Sequence, residues 1–83
     1  MSMEDIKDLK KSALRIIWEL RTTKGNELAE AMKSYRIQRI EQTLEALKSY
    51  AELPSVPAEQ RSAASAAASE IRLLFRSTID PAP

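Results

Sequence analysis

The chain contains no histidine and no cysteine, and a single glycine among its 83 residues. Without those two side chains, neither a serine–histidine nor a cysteine–histidine nucleophile can be assembled. No thiolate zinc site and no disulfide framework can form either. One glycine cannot build a phosphate-cradling loop and supplies few tight turns, which disfavours an all-β fold. Valine occurs once, at Val56, although strands draw on β-branched residues. Aromatics make up 5% of the chain, so leucine, isoleucine, methionine and alanine must fill any core. No apolar run approaches the roughly 18 residues of a membrane span, and the acidic, polar start at Met1–Asp5 is unlike a secretory signal. The lack of cysteine suits a cytoplasmic setting. Thirteen Lys and Arg against twelve Asp and Glu leave a net charge of +1, so no strong bulk attraction to nucleic acid or to an anionic membrane is expected.

What is present is helical. Ala, Leu, Glu, Lys, Arg and Ser dominate, and most of these are good helix formers. The composition, 43% hydrophobic and 30% charged, is that of a globular chain rather than a disordered one. The expectation is an all-α, small antiparallel bundle of three long helices, forming one domain over residues 1–79 with a short tail at 80–83. At this length the share of surface buried on folding is modest, so self-association would add stability.

Ser2, with Asp5 three residues on, resembles a capping box and opens a helix from Met3 to about Thr23. Ile6, Leu9, Ala13, Ile16, Ile17 and Leu20 fall on one stripe of it. Glu4 and Asp5 at its start and Arg21 and Lys24 at its end suit the helix dipole. Gly25 is a natural stop and Asn26 a cap for the next helix. From Glu27 to Leu53 there is neither proline nor glycine, so propensity favours one helix. Periodicity disagrees: Leu28, Ala31, Met32 and Tyr35 share one face, whereas Ile37, Ile40, Leu44, Leu47 and Ala51 share another, roughly 150° away at 100° per residue. The main expectation is a break near Ser34 to Ile37. The competing one is a single helix with one half completing an oligomer interface. Within this segment Glu30–Tyr35 (EAMKSY) is echoed by Glu45–Tyr50 (EALKSY), two copies being too few for a repeat architecture.

Pro54 and Pro57 mark the clearest boundary, the first ending a helix and the second suiting the first turn of another. The last helix is expected from Pro57 to Thr78, with Ala64, Ala67, Ala68, Ile71, Leu74, Phe75 and Thr78 as its stripe. The centre of the bundle is expected at Ile16, Ile17, Leu20, Leu44, Leu47, Ile71, Leu74 and Phe75.

Chemistry has little to work with. A serine–lysine pair is available, but no spacing marks one. Glu41 with Glu45, and Glu27 with Glu30, put carboxylates about one helical turn apart, but the Glu-x-x-His element of helical di-iron sites is absent. A solvated acidic face explains these glutamates. No enzyme, no metal, no cofactor and no small-molecule substrate are expected. Two surfaces stand out instead. Leu14 and Trp18 lie one turn apart and off the main stripe of the first helix. Their plain explanation is a helix with neighbours on two sides and Trp18 in the core. The sharper one is an exposed patch that anchors a protein partner or a second copy, since tryptophan is favoured at binding hot spots. The Ala64, Ala67 and Ala68 face offers a second such surface, because small side chains let another helix approach closely. The basic strip Lys7, Lys10, Lys11 and Arg15 is expected to be a solvated face with Asp8 and Glu19 as ion-pair partners. It lacks the charge excess of a membrane-surface helix. Arg72 and Arg76 complement the last helix's dipole.

The primary functional expectation is therefore a non-enzymatic protein–protein interaction or regulatory module, of the adaptor, inhibitor, chaperone or antitoxin-like kind. It would act through apolar helix faces, as a homodimer or with another protein. The alternative comes from a resemblance. Ala13–Leu20 followed by Asn26–Met32 looks like the opening of many bacterial helix-turn-helix regulators. Ala29 would sit where the two motif helices cross, and Ile37, Ile40 and Leu44 would face the core. The resemblance implies DNA binding within residues 27–50, with Arg36, Gln38, Arg39 and Gln42 reaching base edges and phosphates. It covers under half the chain. Lys33-Ser34-Tyr35 stands where the motif's glycine turn belongs, Glu41 and Glu45 add negative charge, and no strand pair follows to form a wing.

Overall fold

The first helix begins where the sequence places its cap. The Ser2 backbone N–H donates to the Asp5 carboxylate at 2.8 Å, and the Asp5 N–H donates back to the Ser2 hydroxyl at 3.3 Å. These reciprocal bonds satisfy donors that a helix start otherwise leaves open. The computed structural model describes residues 2–22 and 27–79, apart from the side chains of Leu28 and Ala29. Three helices make up the fold: α1 (Met3–Thr22), α2 (Glu27–Ala51) and α3 (Ala58–Ile79). No strand occurs among the described residues. The expected stop at Gly25, the cap at Asn26, the crossing at Ala29 and the tail at 80–83 lie outside the described residues.

The second boundary follows from the two prolines. At the end of α2 the chain tightens, with Glu52 N–H donating to the Ser49 carbonyl and Leu53 N–H to Tyr50. This is the three-residue closure common at helix C-termini. Val56 N–H then returns to the Leu53 carbonyl, and Arg61 N–H to Pro57, which starts α3. Val56 itself is buried. Tyr50 and Gln60 clasp the two helices across this turn, the phenol donating to the Gln60 amide oxygen at 2.6 Å.

All three helix pairs touch. Lys10 of α1 pairs with Glu70 of α3, and further along both helices Arg21 reaches Ser77 and Thr78, so α1 and α3 run parallel. Arg36, early in α2, pairs with Glu19, late in α1, at 3.4 Å, so α2 runs against both. The core between them holds Ile6, Ala13 and Ile17 of α1, Ile40 and Leu47 of α2, and Ala64, Ala67, Ala68, Ile71 and Phe75 of α3. Ile16, Leu20, Leu44 and Leu74, expected at the centre, are only partly buried and pack against this cluster. The radius of gyration is 13.9 Å, against about 12 Å for a compact domain of this length. A slender bundle of long helices has this shape. No helix among the described residues is long and apolar enough to cross a membrane.

The expected break near Ser34 to Ile37 does not form: α2 runs through it without interruption. Nothing in that stretch removes a backbone hydrogen bond, so propensity and the bonds of a continuous ladder prevail over the change of apolar face. The consequence appears on the surface. Ile40 and Leu47 are buried, while Met32 and Tyr35, on the other face, are 38% and 49% exposed.

Two outcomes follow. Ser34→Pro should lower the unfolding free energy by about 3 kcal/mol or more, as proline does inside a helix; urea denaturation measures this, and tolerance of the substitution would mean a break. Asp5 should titrate below the ordinary aspartate value, held down first by the Ser2 backbone N–H and then by the Ser2 hydroxyl. The stabilisation from this cap is complete at neutral pH and lost as the pH falls through that lowered pKa. Carboxyl NMR should show Ser2→Ala raising the Asp5 pKa only partway, because the backbone donor remains.

Candidate functional site

Trp18 is the first side chain to place. It is 64% exposed, and so is not core. Leu14, one turn earlier, is half-buried and packs against the core. The reason lies in the direction of α3. Lys10 and Arg21 both contact α3, and Leu14 lies between them on the same side of α1. Trp18 lies roughly 60° outward of Arg21 at 100° per residue, past the point where α3 can cover it.

The other lip of the seam is formed by Leu73, which is 71% exposed. It lies roughly 40–60° outward of Ser77 and Glu70 by the same spacing, and these two residues face α1 through Arg21 and Lys10. The two most exposed large apolar side chains among the described residues therefore flank one seam, between α1 and α3. Towards the other end, the same two helices form a shallow groove of about 190 Å³ that includes Met3, Ile6, Lys7, Ala63 and Ala66. The Lys10–Glu70 pair lines this groove on the side nearer the two lips.

Arg21 ties the upper end together. Its Nε donates to Thr78 Oγ1 at 2.7 Å and its Nη2 to Ser77 Oγ at 2.7 Å. Both hydroxyls in turn donate to the Leu74 carbonyl. A cation placed over the last turn of α3 suits the negative end of that helix. Leu73, immediately before Leu74, is thus carried on an anchored turn.

The other expected sites resolve differently. Ala64, Ala67 and Ala68 are buried inside the bundle: the helices that approach this small-residue face are α1 and α2 of the same chain, which corrects its assignment to a partner surface. The helix-turn-helix arrangement has no turn, since residues 33–35 are helical within α2. Arg36 is drawn onto α1, with Nε paired to Glu19 and Nη1 buried without a hydrogen-bond partner in the protein. Arg39 lies over the Tyr35 ring at 5.8 Å and donates to its hydroxyl at 3.1 Å. Gln38 and Gln42 are exposed on the same helix. Of the four residues the resemblance names, Arg36 is thus turned towards α1, while Gln38, Arg39 and Gln42 are exposed on α2. Glu19, expected to pair within α1, pairs across to α2 instead.

Among the described residues no three carboxylates gather as a cation would need. The sequence singled out Trp18 and Leu14 but not Leu73. The signal was there: Leu73 falls off the stripe of Ile71, Leu74 and Phe75, an aliphatic side chain with no helical reason to be buried. Compared with family models, with curated proteins and with solved structures, the chain matches none.

Trp18 is the sole tryptophan, so intrinsic fluorescence reports on this site alone. Its emission should be that of a hydrated indole and be readily quenched by acrylamide. Trp18→Ser should shift stability by no more than about 0.5 kcal/mol, as surface changes do. Ile17→Ala, one residue away but buried, should lose about 2–5 kcal/mol. Equal losses in the two variants would place Trp18 in the core.

Proposed function

We propose that this domain is a non-enzymatic protein-interaction module that captures a protein partner on the α1/α3 seam. The observation that carries the proposal is the pairing of Trp18 and Leu73, at 64% and 71% exposure, as the two lips of one interhelical seam. Isolated apolar side chains on a surface are ordinary. Two large ones flanking a half-buried leucine are an anchor site of the kind that dominates interface energetics. Each large apolar side chain fully buried is worth about 1.5–3 kcal/mol, so covering the seam offers a substantial part of a micromolar affinity of about 8 kcal/mol.

The adaptor, inhibitor, chaperone and antitoxin-like roles share this mechanism: an apolar helix face is covered, and the charges around it set specificity. The seam is framed by hydrogen bonds and an ion pair that do not involve Trp18, so the site is held in shape before a partner arrives. Such preorganisation lowers the entropic cost of binding. A cytoplasmic setting for this activity belongs to the same proposal.

Native mass spectrometry before and after exposure to cell extract tests it. The chain should appear at 9.3 kDa and also in a heavier species after exposure. That species should vanish for the Trp18→Ser/Leu73→Ser variant at unchanged melting temperature. If the heavier species survives in the variant, or none forms with the original chain, the proposal fails.

A further inference from the structure

The charges around the seam are lopsided. Lys7 borders the groove, and Lys11 and Arg15 continue from it at intervals of four, a row that leads up α1 beside Leu14 and Trp18. On α3, Arg76 stands one turn above Leu73. All four are exposed, and among the described residues none is held in an ion pair. The carboxylate on the seam itself, Glu70, is paired with Lys10. Exposed Glu4 and Asp8 stand within a turn of Lys7 and Lys11 on the same side of α1, and Glu59 lies at the N-terminal end of α3, so beside the strip itself four unpaired cations stand against two carboxylates. A chain with a net charge of only +1 thus shows an apolar strip, crossed by the Lys10–Glu70 pair, whose border carries an excess of unpaired cations.

From this we infer that the α1/α3 seam binds an acidic amphipathic helix, one whose apolar side chains fill the strip from Met3 and Ala66 up to Trp18 and Leu73 while its flanking carboxylates meet Lys7, Lys11, Arg15 and Arg76. This rests on the interaction module proposed above and names the chemistry of its partner. The strip runs from the level of Met3 to that of Trp18, about 22 Å at 1.5 Å per residue, which fits a helix of about four turns. A furrow between two parallel helices is the place where a further helix completes a bundle. A second copy of this chain fits less well, because it would bring its own Lys7, Lys11 and Arg15 row to a face already basic, and like charges across an interface are costly. A lipid surface or nucleic acid fits less well too: Glu70 sits within the strip, and the strip is recessed between helices at its lower end.

Two fluorescein-labelled helical peptides of about 18 residues test the inference, each carrying a leucine stripe, one flanked by Glu and the other by Lys. Anisotropy gives affinity and Trp18 emission gives location. The Glu-flanked peptide should bind saturably with a blue shift of Trp18, about tenfold or more tighter than the Lys-flanked one at low salt, the margin shrinking as salt screens the charges. Lys11→Glu/Arg15→Glu should reverse that preference. Equal binding of both peptides, with Trp18 shifted by each, would overturn the acidic partner and leave the interaction module standing. Neither peptide shifting Trp18 would overturn this inference alone if the Trp18-dependent complex of the mass experiment persists, and both readings if it does not. A blue shift produced by concentrating the chain alone, by phosphatidylserine vesicles or by duplex DNA, without a peptide preference, would overturn it in favour of that occupant.

Discussion

Close approach of α3 to its two neighbours is the constraint on which the rest of the molecule depends. Ala64, Ala67 and Ala68 occupy the lower half of its buried face, and Ala13 lies on α1. Alanine loses no side-chain entropy in a helix, and its small side chain lets backbones come near. Alanine thus supplies four of the ten residues of the core cluster, and Ile6, Ile17, Ile40, Leu47, Ile71 and Phe75 supply the larger side chains. Towards the upper end Ile71 and Phe75 take over, and the packing requires more volume.

A core of that kind has little room to spare. Trp18, Met32, Tyr35, Leu73 and Ile79 all remain exposed, and all lie in the half of the bundle where α1 and α3 end and α2 begins. Leu53, at the opposite end, is the other exposed large apolar residue among those described. The uncovered apolar surface is thus gathered towards one end and is not scattered. Gathered apolar surface marks interaction sites more often than dispersed apolar residues do. Polar contacts hold this end in shape: Arg21 bonds α1 to α3, and Arg36 with Glu19 joins α2 to α1. The Arg21 contacts lie at the surface, whereas Arg36 and Glu19 are half-buried.

Much of this was legible in the residues. The cap at Ser2 and Asp5, the proline boundary at 54–57 and the stripes of the first and last helices each rest on local rules that hold whatever the neighbours do. The stripe of Ile37, Ile40, Leu44 and Leu47 correctly marks the buried face of α2. The face of Met32 and Tyr35 was equally visible, but its meaning was not. A second apolar face on a helix says that two surfaces are involved, and whether the chain bends to bury both is decided by packing. The two copies of the hexapeptide pattern make this plain. Fifteen residues turn a helix by roughly 60°, so Leu47 of the second copy reaches the core while Met32 of the first stays outside.

Sequence alone determined the helical class, the approximate ends of the helices and the narrowness of the chemistry, because backbone propensity, capping and the inventory of reactive groups are local properties. Tertiary structure alone decided that α2 stays whole, that the alanine face is closed by the chain itself, and that Trp18 and Leu73, fifty-five positions apart, flank one seam. Such outcomes depend on which helices run parallel and where each one's neighbours lie, and a periodic stripe records only that a side is covered, never by what.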